Sequence, residues 1–244
     1  AKGNYIAPLN IDTEVSRDWL GYLVRFMNGN PQAGAVTPKI LLFDDRQSVN
    51  AMGLNIHLSG LAFCRGLGRK DDGLAEPQKV SGISGCSYLI RRELLESIGG
   101  APEECFMASD DVVVSWLLNL VGSDMYCIPA SVVYHKYNLK MNPEKFFMLE
   151  RNRHRLLLYS LKWPALIACS PVLGLTELLV MGYCLRRGKQ YAGSKLRALL
   201  CVIHDRSYIR ERRRQVQGLP RISDFQMLRR LKLSLDWGQL LQIS

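Results

Sequence analysis

Tyr5-Ile6-Ala7-Pro8-Leu9-Asn10-Ile11-Asp12-Thr13 sets the frame for the whole chain. Its first half reads as a buried strand, and it ends in the polar run Asn10-Ile11-Asp12-Thr13, where an open α/β sheet hands over to a loop and presents its ligands. A parallel-sheet strand that emerges at residue 5 needs neighbours, and nothing ahead of it supplies them. The chain is therefore expected to start inside a domain.

Working outward, Trp19, Leu20, Leu23, Val24 and Met27 repeat at helical spacing, predicting a helix over 15–28 with Ser16 as N-cap and Asn28-Gly29-Asn30-Pro31 as its stop. Gly34 to Phe43 reads as a strand. Gly53 to Gly85 is glycine-rich, with Gly66-Leu67-Gly68 at its middle, and suits a flexible active-site loop. A dinucleotide site is disfavoured there, because the full GxGxxG is absent and no βαβ unit brackets it. Val80 to Ile90 predicts a strand, and Arg91 to Ile98 a short helix closed by Gly99-Gly100. Asp110-Asp111 precede a helix over 112–120, where its dipole favours negative charge. Met125 to Ile128 and Ser131 to Tyr134 flank Pro129 and end at His135.

Of the 244 residues 48% are apolar, which gives a real core and excludes a disordered, collagen-like or low-complexity chain. The net charge of +10 is unevenly placed: residues 1–135 hold 11 basic and 15 acidic side chains, residues 136–244 hold 21 and 7. An anionic partner for the second part follows, a nucleic acid or an anionic membrane surface. Nucleic acid is disfavoured, since no stacking platform and no helix-turn-helix, RRM or zinc pattern accompanies the basic residues. The seven cysteines form no CxxC pair and no zinc-spaced cluster, consistent with reduced thiols in a cytosolic compartment.

Pro143 to Tyr159 predicts a basic amphipathic helix. Pro164 to Leu185 is mostly apolar, with Glu177 its one carboxylate; as a single helix of 22 residues it would be roughly 33 Å long, close to a bilayer core. A true crossing, a re-entrant or interfacial hairpin broken at Pro171, and a buried soluble helix are the alternatives. The arginines of 206–214 would then face anionic headgroups.

Asp12 and His135 supply one hard oxygen and one imidazole, a donor pair suited to a divalent cation on a sugar diphosphate, and Asp110 or Asp111 can take the proton of an acceptor hydroxyl. Taken singly, each has an ordinary alternative: a helix cap for Asp12 or Asp110-Asp111, a satisfied polar residue for His135.

The ordered set Leu9-Asn10-Ile11-Asp12-Thr13, Gly85-Cys86-Ser87-Tyr88-Leu89-Ile90-Arg91-Arg92, Ile98-Gly99-Gly100, Phe106-Met107-Ala108-Ser109-Asp110-Asp111 and Pro129-Ala130-Ser131-Val132-Val133-Tyr134-His135 resembles the family 2 glycosyltransferases of the GT-A fold, in their rhamnosyl- and galactofuranosyl-transferase-like branch. The resemblance implies an α/β fold, with 1–140 the C-terminal part of a Rossmann-like GT-A domain that lacks its N-terminal nucleotide-binding strands, and 141–244 a mostly helical, membrane-associating tail. It implies Asn10 and Asp12 at the donor diphosphate, Asp12 and His135 on Mg²⁺ or Mn²⁺, and Asp110 or Asp111 as the base. Gly85, Arg151 and Asn152 fall on the acceptor side. Val113 stands where many relatives carry a further acid. The implied activity is inverting, metal-dependent transfer from a nucleotide-diphosphate sugar to a glycan or lipid-linked acceptor at the cytoplasmic face of the membrane. A non-catalytic remnant or assembly subunit of a polysaccharide-synthesis complex is the other expectation.

Overall fold

The computed structural model describes residues 2–101, 109–137 and 141–242. Cys105 and the segment Phe106-Met107-Ala108 lie outside them. At the centre are β3 (Ala33–Leu42) and β9 (Asp124–His135), paired in parallel. The first nine residues of β3 are all buried, as expected of a strand covered on both faces.

Around this pair the sheet runs β1-β8-β3-β9-β2, where β1 is Tyr5–Ile6, β2 Thr13–Val15 and β8 Leu89–Arg91. Two further short strands, β4 (Val49–Ala51) on β3 and β7 (Gln78–Val80) on β9, complete it. Every pairing except β3 with β9 is antiparallel. Tyr5-Ile6 is therefore a two-residue antiparallel strand, half-buried, rather than the buried parallel strand expected. Pro8 cuts it short by removing an N–H from the ladder.

The helix α1 is Trp19–Gly29, four residues later in starting than its periodicity predicts. Val15 belongs to β2, and Asp18, not Ser16, occupies the cap. Strand pairing with β9 wins over helical spacing at 13–15. The expected flexible loop 53–85 is corrected as well. Its first part forms the hairpin of β5 (Leu54–Ile56) and β6 (Ala62–Cys64), with Leu54, Ile56, Leu58 and Phe63 buried. Its glycines serve turns, Gly53, Gly60, Gly66 and Gly68 all lying at φ of 74–83°. The strand expected over 80–90 is two strands, β7 and β8, joined by a turn whose Ile83 N–H bonds Ser115 Oγ.

The two stretches flanking Pro129 form one strand. Pro38 pairs with Ile128 and Lys39 with Val132, so Pro129, Ala130 and Ser131 bulge out of register. Ser131 Oγ donates to the Trp19 carbonyl at 2.7 Å and ties the bulge to α1. On the opposite face lie α2 (Arg92–Ser97), ended by Gly99 and Gly100 at positive φ, and α3 (Asp110–Leu120). From Val113 to Leu120 α3 is completely buried, and Trp116 Nε1 donates to Ser160 Oγ, joining it to the helices that follow.

Those helices are α4 (Pro143–Ser160), α5 (Trp163–Arg187), α6 (Lys189–His204) and α7 (Arg206–Gln217), then short α8 (Asp224–Leu228) and α9 (Trp237–Gln242). The chain end folds back on the β5–β6 hairpin: Lys232 N–H bonds the Ile56 carbonyl, and Gln239 brackets the backbone of Cys64. One apolar cluster runs from Ile90 and Leu117 through Leu156 and Tyr159 to Met227.

α5 is the one helix among the described residues long and apolar enough to cross a membrane. It runs unbroken through Pro171, an exposed residue, so of the three alternatives the hairpin broken there is not what the fold adopts. Glu177 turns inward from it to a charge cluster. Arg153 makes a two-pronged pair with Glu150, at 2.8 Å for both contacts, and also reaches Glu177; Lys195 bonds both carboxylates. Glu150 and Lys195 are 3% and 1% exposed. Two carboxylates thus meet two cations, which locks α4, α5 and α6 together. The outer face of α5 leaves Ile167, Leu175, Leu178 and Leu185 exposed.

Burial opposes ionisation of Glu150 and Glu177, but their partners outweigh it and hold both below the usual carboxylate range. The cluster's stabilisation is therefore fully present above about pH 4.5 and is lost as pH falls through the lowered values. Lys195→Met should cost about 3 to 5 kcal/mol, because it strands a buried carboxylate. Adding Glu177→Gln should recover much of that, as read from urea midpoints at pH 7.

Candidate active site

The antiparallel ladder of β2 on β9 pairs Thr13 with His135, Glu14 with Tyr134 and Val15 with Val133. This register sets the residue before Thr13 beside the end of β9. The Asp12 carbonyl accepts from Lys136 N–H, and its carboxylate Oδ1 lies 3.4 Å from His135 Nε2. Residues 123 apart in the chain so converge at one point. Asp12 is half-exposed and His135 mostly buried.

Asn50, on β4, orients the imidazole. Its Oδ1 is 2.9 Å from His135 Nδ1, which donates, leaving the Nε2 lone pair directed toward Asp12. Burial lowers the His135 pKa against the pull of Asp12, so the ring stays neutral at pH 7. A carboxylate oxygen and a neutral imidazole nitrogen at this separation fit a divalent cation that takes mixed O and N ligands. In the sequence Asn50 has one signal only, an amide in an otherwise apolar strand.

Asn10 contributes through its backbone: its N–H bonds the Cys86 carbonyl at 2.9 Å and its carbonyl accepts from Thr13 Oγ1. The neighbouring Gly85 N–H donates to Asp111 Oδ2 at 2.8 Å. Gly85-Cys86 thus connects the Asn10–Asp12 run to the acidic pair. A Cβ on residue 85 would meet that carboxylate oxygen at 3.0 Å, which explains the glycine.

Asp110 and Asp111 open α3 rather than precede it. Ser109 just before them is the one non-glycine residue among those described at positive φ, 69°, a strained entry of the kind found at functional sites. Asp111 faces a cavity of about 640 Å³, lined also by Ser109, Cys64, Tyr137 and Val113, whereas Asp110 does not line it. Burial, then the charge of Asp110, push the Asp111 carboxyl up to about 6, despite the N–H groups of Gly85 and Val112. Such a carboxyl is poised to exchange protons near neutral pH.

Tyr137, two residues past His135, stacks obliquely against it at 5.7 Å and borders the same cavity, joining the two ends of the site. Asn152 is buried on the cavity wall. Arg151 is not among the lining residues; its guanidinium bonds Asn152 Oδ1 and stacks on Phe147. A second acidic group, Glu150, His154 and Glu177, has ligand atoms within 4.8 Å of one another, but Arg153 and Lys195 already neutralise its carboxylates.

A mixed α/β sheet with acidic and imidazole groups at one end, followed by a helical part, is the arrangement of a GT-A fold. No family model and no curated protein matches the chain. Among solved structures it is similar to GalNAc-T7, crystallised with UDP, GalNAc and Mn²⁺: TM-score 0.50 and 16% identity over 66% of this chain and 32% of that one. A mannosyltransferase from Pyrobaculum calidifontis, in complex with GDP-Man and Mn²⁺, covers 89% of this chain and 63% of its own at 16% identity and TM-score 0.40. The chain thus spans about a third of the length of the first and under two thirds of the second. The first likeness bears on the fold alone.

Because the folded Asp111 carboxyl titrates above its ordinary value, the stability it confers is present below about pH 4 and is lost as pH rises through 6. Asp111→Asn should therefore gain on the unsubstituted protein by on the order of 2 kcal/mol between pH 4 and pH 7.5. Parallel urea titrations at the two pH values measure this, and a difference that does not change with pH contradicts the assignment.

Proposed function

We propose that the chain carries the metal and acceptor side of an inverting, metal-dependent glycosyltransferase. It acts on a nucleotide-diphosphate sugar and a glycan or lipid-linked acceptor at the cytoplasmic face of a membrane. The observation that carries this reading is the approach of Asp12 to His135 within 3.4 Å, at the end of the sheet that Gly85-Cys86 links to Asp111. The likeness to a fold solved with UDP and Mn²⁺ supports it.

In this reading Asp12 and His135 would hold Mn²⁺ or Mg²⁺, which supplies positive charge against the departing diphosphate. Asn10 shapes the turn that carries Asp12. Asp111 accepts the proton of the acceptor hydroxyl as that oxygen attacks the anomeric carbon, and Asp110 keeps its neighbour basic by like-charge repulsion. Asn50 holds the imidazole in the ligating tautomer. Asn152 belongs to the acceptor wall, and Arg151 acts through its bond to Asn152. The exposed apolar face of α5, flanked by Lys162, Arg186 and Arg187, supports contact with a membrane surface.

Asp12→Ala and His135→Ala should each weaken Mn²⁺ binding at least tenfold and abolish metal-dependent sugar transfer in the full-length protein, with Tm changed little. The pH profile of turnover should fall on the acid side of about pH 6, the limb set by Asp111. Unchanged turnover in Asp12→Ala overturns the assignment.

A further inference from the structure

We propose that a second cavity, at the opposite end of the sheet from His135, binds a compact multivalent phosphate, a diphosphate ion or its like. This inference is independent of the transferase reading.

β9 sets the two places apart. It ends at His135, whereas Met125, near its start, lines a cavity of about 400 Å³ together with Lys79 and Val80 of the paired β7. From Met125 to His135 the strand runs roughly 30 Å. The β5–β6 hairpin is a wall of both cavities. Leu54 and Cys64 line the one beside Asp111, and their chain neighbours Asn55 and Arg65 line the second, as alternation along a strand requires.

The lining is cationic. Arg65, Lys79, Arg229, Arg230 and Lys232 all border the cavity. Among the described residues Asp124 is the one carboxylate paired with any of them, at 2.7 Å from Lys79 and 3.0 Å from Arg230. The carbonyls of Gly122 and Ser123 fix the Arg230 guanidinium further. Arg229 and Lys232 have no side-chain partner among the described residues. Arg65 has Gln78 Oε1 at 3.2 Å, and its Nη1 is buried without an acceptor. Five like charges around one concavity repel, and a single shared carboxylate offsets only part of that repulsion. A phosphate carrying two or more charges supplies the rest, with oxygens for the forked guanidinium donors and negative charge for the ammonium groups.

Composition and shape select a small ion. Val80 and Met125 are the apolar side chains among the described lining residues, and none of those residues is aromatic. A nucleobase would find nothing to stack on, and a hydrocarbon chain little to bury against. A concavity of this volume takes a small molecule and not a flat membrane surface.

Isothermal titration of the full chain with inorganic pyrophosphate, without metal and at about 0.15 M salt, tests this. The expected result is saturable one-to-one binding, at least tenfold tighter than inorganic phosphate, with UDP no tighter than pyrophosphate. Arg229→Gln combined with Lys232→Gln, both at exposed positions, should weaken pyrophosphate at least tenfold. Arg186→Gln combined with Lys189→Gln removes the same charge from the end of α5 and the start of α6, also at exposed positions, and should leave the affinity unchanged. Equal weakening in the two double variants is a response to net charge and overturns the proposal. So does binding that is lost in Asp12→Ala, which would put the anion at the other end of the sheet, and so does binding beyond detection. UDP held tenfold more tightly than pyrophosphate overturns the choice of a compact ion. Because neither donor nor metal is present and no transfer is measured, failure here leaves the transferase reading standing.

Discussion

Three antiparallel pairs between β2 and β9 are the constraint on which the site depends. Side chains alternate along a strand, so a slip of one residue would turn His135 to the other face of the sheet and carry Asp12 along the ladder. The register is held from both sides. The long parallel pairing of β9 with β3 fixes the strand inside the core, and the bulge at 129–131, pinned by Ser131 to α1, corrects its phase before it reaches His135. β4 then brings Asn50 to the imidazole. A short strand of three residues can hold Asp12 beside His135 this way because the strand it pairs with is itself held on its other side by the long pairing with β3.

The acidic pair is placed by different means. α3 is a wholly buried helix, and its entry is strained at Ser109 and bonded to Gly85. The cost of ionising Asp111 there is accepted by the fold, and under the proposed function it is the property that suits the carboxyl to act as a base near neutral pH. The helical part contributes on a larger scale. The Glu150–Arg153–Glu177–Lys195 cluster gives α5 a polar inner face in an otherwise apolar helix, so the helix packs on α4 and α6 while its outer face stays bare. Length and composition had left crossing, hairpin and buried helix open; the direction of Glu177 distinguishes a docked helix from a broken one.

Much of this was legible in the sequence where a residue type has few uses. The histidine closing a strand and the paired glycines ending a short helix at 99–100 stand where local patterning put them, and the acidic pair lies in the first turn of its helix rather than before it. What could not be read were pairings between distant segments. Val15 satisfies a helical pattern as well as a strand, and only β9 decides between them. Glycines at 53–68 look like flexibility but serve tight turns in a packed hairpin. Asn50 is marked only as an amide in an apolar strand and Tyr137 not at all, because each lies beside His135 through the fold, and the cavity beside Asp111 is built from several elements at once.

The chain has four histidines, His57, His135, His154 and His204, which makes the central claim open to one direct observation. In histidine-selective NMR of the full chain titrated with substoichiometric Mn²⁺, paramagnetic broadening should strike the His135 ring first and leave the other three sharp. Broadening of His154 ahead of His135 would place the ion at the Glu150–Glu177 cluster and contradict the account.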